Sequence, residues 1–191
     1  MLVQECVRRT LDEFSPGPIR VVSICAGQGH DLLGVLTQHS RRTDVAALLV
    51  EIDSRNVALA RRAATKAGLT NVDVREGDAA LTDQYAHMAP VDLVLMCGVF
   101  GNISPDDIQR TVIHCAQLCK PGGVLVWTRN RRQPDLVPRI CNWLREQEFE
   151  QLWLSDKGKE YCVGSHRYLG PPQQLQTGVR LFTFLPDKVP K

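Results

Sequence analysis

Short apolar runs with few charges alternate with amphipathic stretches along most of this chain, and that alternation restricts the architecture severely. A strand that reads as almost continuously apolar must be buried on both faces, which happens when helices cover a mostly parallel sheet on each side. The runs are IRVVSIC at 19–25, VAALLVEI at 45–52, VDVRE at 72–76, VDLVLM at 91–96 and VLVWT at 124–128. Between them the pattern predicts helices over 31–41, 54–67, 104–120 and 136–148. Ser54 is the expected N-cap and Gly68 the expected C′ residue of the second of these. Ser104, with Pro105 at the first helical position and Asp106 and Asp107 in the first turn, marks another start. Pro121-Gly122-Gly123 forces a turn into the fifth strand. The tail carries β-rich pieces, QLWL, YCVGSH and VRLFTFL, which predict an antiparallel addition to the sheet edge. The expectation is one domain over 1–191: a short helix and turn at 1–18, a core at 19–148 and the β addition at 149–191.

Composition removes several classes of function. Hydrophobic residues make up 43% and charged residues 23%, a globular balance. A net charge of +2 is too weak for a protein that binds nucleic acid over its whole surface. No apolar run reaches bilayer length, and MLVQECVRRTLDEF lacks the apolar core of a signal peptide, so no membrane partner and a cytoplasmic location are expected. The seven cysteines are odd in number and contain no C-x-x-C pair. They predict reduced, mostly buried thiols rather than a disulfide framework or a metal site.

The strand tips carry the chemistry. Cys25-Ala26-Gly27-Gln28-Gly29-His30-Asp31 follows the first strand, and its two glycines let the backbone turn sharply and a ligand approach closely. Glu51 ends the second strand about twenty residues later, where a carboxylate can accept from ribose hydroxyls. Asp53 is the competing acid, and either one could simply cap the next helix. Asp78, after the third strand, can accept from an adenine amino group while Ile52 and Ala79 or Leu81 flank the ring. Cys97 and Gly98 leave the fourth strand at the edge where open α/β sheets bind ligands.

Together these motifs resemble those of class I S-adenosylmethionine-dependent methyltransferases, from Ile19 to Leu185. CAGQG resembles the family's glycine motif, VEID its ribose motif, EGDA its adenine motif, VDLVLMCG its post-strand motif and KPGG its turn before the fifth strand. The resemblance implies a Rossmann-like seven-stranded sheet of order 3-2-1-4-5-7-6, its last strand antiparallel, with helices on both faces. It also implies S-adenosylmethionine as cofactor and S-adenosylhomocysteine as product. The cofactor residues it implies are Cys25, Ala26, Gly27, Gln28, Gly29, Asp31, Glu51, Ile52, Asp78, Ala79, Cys97 and Gly98. Two positions depart from the pattern: Cys25 stands where the family has an acid, and Asp31 stands where it has a third glycine. Asp31 would then replace the missing carboxylate near the cofactor's amino group. Fewer than twenty residues precede the first strand, where many relatives carry a longer lid.

Two other classes compete. A nicotinamide-dependent dehydrogenase would want a third glycine where Leu32 stands, and gives Asp78 no role. A cofactor-binding partner subunit without catalysis is the other alternative. For a methyltransferase the expected acceptor is a small molecule. Nucleic acid is the lesser alternative, because no aromatic stacking platform interleaves with the basic run Arg129-Asn130-Arg131-Arg132. Arg129, nearest the strand end, is the member expected to grip a phosphate or carboxylate. The candidate catalytic residues are Arg129, Asn102 and His166, the last as a base because an imidazole titrates near neutrality. Phe100 and Tyr168 are further candidates for the acceptor side, with His30 a candidate beside the cofactor.

Overall fold

The computed structural model describes residues 2–156, 158 and 160–186. Seven strands lie in one sheet: β1 (Ile19–Ile24), β2 (Val45–Glu51), β3 (Val72–Glu76), β4 (Val91–Met96), β5 (Cys119–Asn130), β6 (Phe149–Leu154) and β7 (Tyr161–Tyr168). Their order is β3-β2-β1-β4-β5-β7-β6. The first five strands run parallel, and β7 is antiparallel to both β5 and β6. The expected order and the antiparallel last strand are therefore both present. From β1 the chain winds outward through β2 to β3, then returns to place β4 on the other side of β1. That reversal opens a crevice between the tips of β1 and β4.

Helices α1 (Leu2–Glu13), α2 (His30–Leu36) and α3 (Ser54–Lys66) cover one face, and α4 (Pro105–Leu118) and α5 (Val137–Glu146) cover the other. Strand alternation divides the side chains accordingly. Val21, Leu49 and Leu95 pack with Val7, Leu33 and Val57, whereas Val22, Leu48 and Val94 pack with Ile108, Val112 and Ile140. Each such side chain stabilises the fold by about 1.5–3 kcal/mol on burial. Every residue of β4 is buried, which explains why that segment is apolar except at Asp92, whose carboxylate accepts from the Arg20 N–H at 2.8 Å.

Several boundaries differ from expectation, each for a local reason. α2 stops at Leu36 instead of reaching 41. Beyond it, Arg41 donates to the Phe14 carbonyl at 2.5 Å and the Gly17 carbonyl at 2.8 Å and pairs with Asp44 at 3.0 Å, which draws the chain into a loop. The N-cap of α3 is Asp53, not Ser54; its carboxylate accepts from the Arg55 N–H at 2.8 Å. Gly68 does adopt the left-handed conformation expected after that helix, with φ 64°. Ser104 caps α4 as expected, accepting from the Asp107 N–H at 3.1 Å. β5 begins at Cys119, before the Pro-Gly-Gly turn, because Cys119 already pairs with Val91 and an irregularity absorbs the turn. α5 ends at Glu146 rather than 148, where Glu148 takes a positive φ of 60°.

The largest correction concerns VRLFTFL at 179–185. It does not extend the sheet edge. It crosses back to the strand tips, where its backbone forms isolated bridges between Leu81 and Arg180 and between Ile103 and Phe184. The Leu181 N–H donates to the Ala80 carbonyl at 2.8 Å, and the Leu185 N–H to the Asn102 carbonyl at 2.9 Å. Leu181 and Phe182 are adjacent and both buried, so they fill the core beside α4 rather than alternate as an edge strand would. The end of the expected tail, 187–191, lies outside the described residues.

Candidate active site

The turn after β1 is held open by conformation and by charge. Cys25, Gly27 and Gly29 have φ values of 54°, 54° and 74°. Gly29 is required twice over, since an added Cβ would come within 2.7 Å of Leu33 and 2.9 Å of Leu49. Cys25 adopts the same left-handed region with a side chain, which strains it by roughly 1–2 kcal/mol. Glu51 fastens the turn from the end of β2. One carboxylate oxygen accepts from the Gly27 N–H at 2.8 Å; the other accepts from the N–H groups of Ile52 at 3.0 Å and Asp53 at 2.9 Å. These charge-assisted bonds leave at least one lone pair of the carboxylate for a ligand. Asp53 is committed differently: it caps α3, and Arg55 beside it holds its carboxyl at about 2.

A cavity of about 420 Å³ opens at these tips, in the size range of small-molecule sites. Cys25, Glu51, Ile52, Asp78, Ala79, Cys97 and Gly98 line it. Ile52 is 65% exposed, a large apolar side chain presented to the cavity instead of the core. Burial, with Glu51 and Asp78 nearby, pushes the Cys25 thiol up to about 12, so it is a neutral wall and not a substitute for the family's acid. Asp78 accepts from the Ala80 N–H at 3.0 Å and pairs with Arg180 at 2.7 Å. Arg180, Phe182, Thr183 and Phe184 supply a further wall that sequence reasoning missed. No local motif marks them, because the Asp78–Arg180 contact joins residues 102 apart.

A second cavity, of about 370 Å³, adjoins the first. Asp31, Thr128, Arg129, Asn130 and Tyr161 belong to it, while Cys97, Gly98 and Asn102 line both. This shared wall is fixed from two directions: the Gly98 N–H donates to the Thr128 hydroxyl at 2.8 Å, and the Asn102 amide donates to the Gly98 carbonyl at 2.6 Å. Gly98 has φ 75°, and an added Cβ there would meet no atom within 4 Å. Burial and the neighbouring Asp31 carboxylate push the Cys97 thiol well up, which keeps it protonated and argues against a nucleophilic role. Arg129 donates to the Phe100 carbonyl, its Nε is buried without an acceptor, and burial lowers its pKa.

Other expected residues lie elsewhere. His166 is 1% exposed, stands between Leu125 and Gln151 in the sheet, and lines neither cavity. Its Nδ1 accepts from the Trp127 indole N–H at 3.2 Å, its Nε2 has no partner, and burial pushes its pKa down to about 4. The structure therefore does not bring this imidazole to the site. Phe100 is fully buried against Trp127, and the buried Tyr168 donates to the Pro171 carbonyl at 2.7 Å. Ala26, Gln28 and His30 shape the glycine turn without lining either cavity: the Ala26 N–H donates to Val50 at 3.0 Å, and Gln28 bonds the His30 ring at 3.1 Å. Among the described residues no cluster of three metal-ligating side chains occurs, and no helix is long and apolar enough to cross a membrane. All seven cysteines are free.

Residues 22–125, more than half of the chain, match a family model described as a methyltransferase domain. No curated protein matches the chain. Among solved structures, the chain is similar to an O-methyltransferase family protein from Burkholderia thailandensis, at 16% identity and TM-score 0.66, over 88% of this chain and 57% of that one. It is also similar to a methyltransferase from Geobacter sulfurreducens, at 19% identity and TM-score 0.64, over 88% and 77%. A third likeness is to an rRNA methylase from Streptococcus thermophilus, at 15% identity and TM-score 0.64, over 86% and 95%. The chain spans little more than half of the Burkholderia protein, and at these identities the likenesses show the fold alone. The family match goes further and leaves no place for the dehydrogenase reading: this chain belongs to the methyltransferase domain family, whose members' chemistry implies S-adenosylmethionine as methyl donor.

Proposed function

We propose that the chain transfers a methyl group from S-adenosylmethionine, seated in the first cavity, to a small molecule that enters the second. The observation that carries this reading is the shared wall of Cys97, Gly98 and Asn102, across which two ligands would face each other. The first cavity suits an adenosyl sulfonium on its own chemistry. Glu51 offers remaining lone pairs to ribose hydroxyls, exposed Ile52 and Ala79 give apolar contact to the base, and Asp78 can accept from its amino group. Cys25 on the cavity wall, with the backbone of Ala26, Gly27, Gln28 and Gly29 behind it, would hold the methionine end together with Cys97 and Gly98 of the shared wall. Asp31 would reach it from the second cavity.

When bound, the sulfonium supplies an already activated methyl group, so transfer is an in-line displacement that leaves S-adenosylhomocysteine. The chain's task is then alignment, which can account for about 7–11 kcal/mol of the barrier. Asn102 fixes the shared wall by its bond to Gly98, and Arg129 stands on the acceptor side. His166 takes no part, because its imidazole is buried away from both cavities. The seven free thiols suit a reducing compartment, and we read the chain as cytoplasmic.

Calorimetry with S-adenosylhomocysteine tests the cofactor reading. Saturating binding and a raised melting temperature are expected, about 2.7 kcal/mol of stabilisation at a hundredfold excess over Kd. The absence of both heat and thermal shift would overturn it. If the nucleoside binds yet no small acceptor is ever methylated, the partner-subunit reading takes its place.

A further inference from the structure

Resting on that reading, we infer that the acceptor is a small molecule bearing an anionic group, a carboxylate or phosphate, and that the Arg129 guanidinium holds it. The basic run in which Arg129 stands is divided by the fold. Arg131 is already engaged, pairing with Asp135 at 3.2 Å and donating to the Ser155 carbonyl at 3.2 Å. Arg129 faces the second cavity and has no carboxylate within ion-pair distance among the described residues. Among the described residues its one protein acceptor is the Phe100 carbonyl, a neutral dipole, and its Nε, like that of Arg131, has none. Burial disfavours this cation and only the more distant Asp135 carboxylate opposes that effect, so an anion placed against it offsets the penalty.

The attachment of Arg129 also gives it a positioning role. Phe100 lies in the loop that carries Gly98 and Asn102, and Thr128, the preceding residue of β5, accepts from the Gly98 N–H. The cation is thus built into the same framework as the wall between the cavities. An anion held by Arg129 would fix one end of the acceptor relative to that wall. Asp31, the other charged group lining this cavity, sits by the Cys97 thiol and would repel an anion bound on its own side. A volume of about 370 Å³ suits a small molecule or a protruding group.

Phenyl phosphate, phenylacetate and neutral phenylacetamide are suitable probes, titrated by ligand-observed NMR into protein saturated with S-adenosylhomocysteine. At least one anion should bind at least tenfold more tightly than the amide. Arg129→Gln should erase that preference, and Arg129→Lys should restore part of it, while affinity for S-adenosylhomocysteine stays within about twofold. Equal binding of amide and anions by the wild-type protein would overturn the inference, and needs no variant. An unchanged preference in Arg129→Gln would do the same. Binding of a short RNA that falls steeply with salt and depends on Arg129 would replace the small anion with a nucleic acid. Failure to bind S-adenosylhomocysteine strikes the underlying reading instead, so the two failures are distinct.

Discussion

The two adjoining cavities are built in opposite ways. The first is assembled largely from residues at the ends of β1, β2, β3 and β4, each next to a recognisable turn. The second draws Val3 from α1, Asp31 from α2, Arg129 from the tip of β5 and Tyr161 from β7. A parallel sheet places its strand tips side by side, so a short motif after each strand suffices to define a pocket there. The second cavity depends on how helices and an antiparallel hairpin pack around that edge, which no single motif encodes. Under the proposed function, the first cavity would carry the common chemistry and the second would be free to vary with the acceptor.

The sharpest way to break this contrast is at Glu51. Glu51→Ala removes the acceptor of three backbone N–H groups. On the proposed reading it also removes the acceptor of the ribose hydroxyls, whose charge-assisted bonds contribute roughly 1.5–3 kcal/mol each, so affinity for S-adenosylhomocysteine should fall by more than about a hundredfold. Calorimetry showing a change under threefold would mean that this cavity is not the nucleoside's seat.

His166 provides a control outside both cavities. Its pKa is depressed to about 4 in the folded protein by burial and rises to about 6.5 when unfolded. The unfolded chain binds the proton first, so stability is full above pH 6.5 and declines as pH falls toward 4. This group alone accounts for at most about 3 kcal/mol of that loss. Urea unfolding of His166→Gln should show a flatter acid limb, with unchanged affinity for S-adenosylhomocysteine at pH 7.5. A loss of nucleoside binding would return the imidazole to the site.

Gly98 tests the wall between the cavities. Its positive φ makes Gly98→Ala unfavourable by about 1–2 kcal/mol. Denaturation should reveal that loss, accompanied by weaker nucleoside binding and slower turnover. Lost stability with intact binding and turnover would place the wall outside the reaction. The smallest effect is expected at Arg180, whose ion pair with Asp78 is half exposed. Arg180→Ala should change stability by no more than about 1 kcal/mol and nucleoside affinity by less than about fivefold. A larger drop in affinity would make the 179–185 crossing a principal part of the first cavity.

Legibility in the sequence follows the same division. Gly27 and Gly29 stand out as paired glycines directly after an apolar strand, with Gly29 leaving no room for a Cβ, and Glu51 stands out as an acid closing an apolar strand. Hydrogen bonding gives the competing acid Asp53 a different task from Glu51: Asp53 caps α3 while Glu51 fastens the glycine turn. His166 was misleading because strand alternation does not reveal whether an imidazole faces water or Trp127. VRLFTFL carried strand propensity, yet Leu181 and Phe182 satisfied it by entering the core next to α4.

Period and turn chemistry are local, so the sequence alone determined the alternating elements, the caps at Ser104 and Gly68 and the family's strand-tip motifs. Only the tertiary structure decided that residues 179–185 wall the first cavity, that Arg131 is paired while Arg129 is not, and that His166 is enclosed. Apart from the local Arg131–Asp135 pair, those outcomes depend on contacts between residues far apart in the chain, whose partners and burial become defined only when the sheet and its helices pack together.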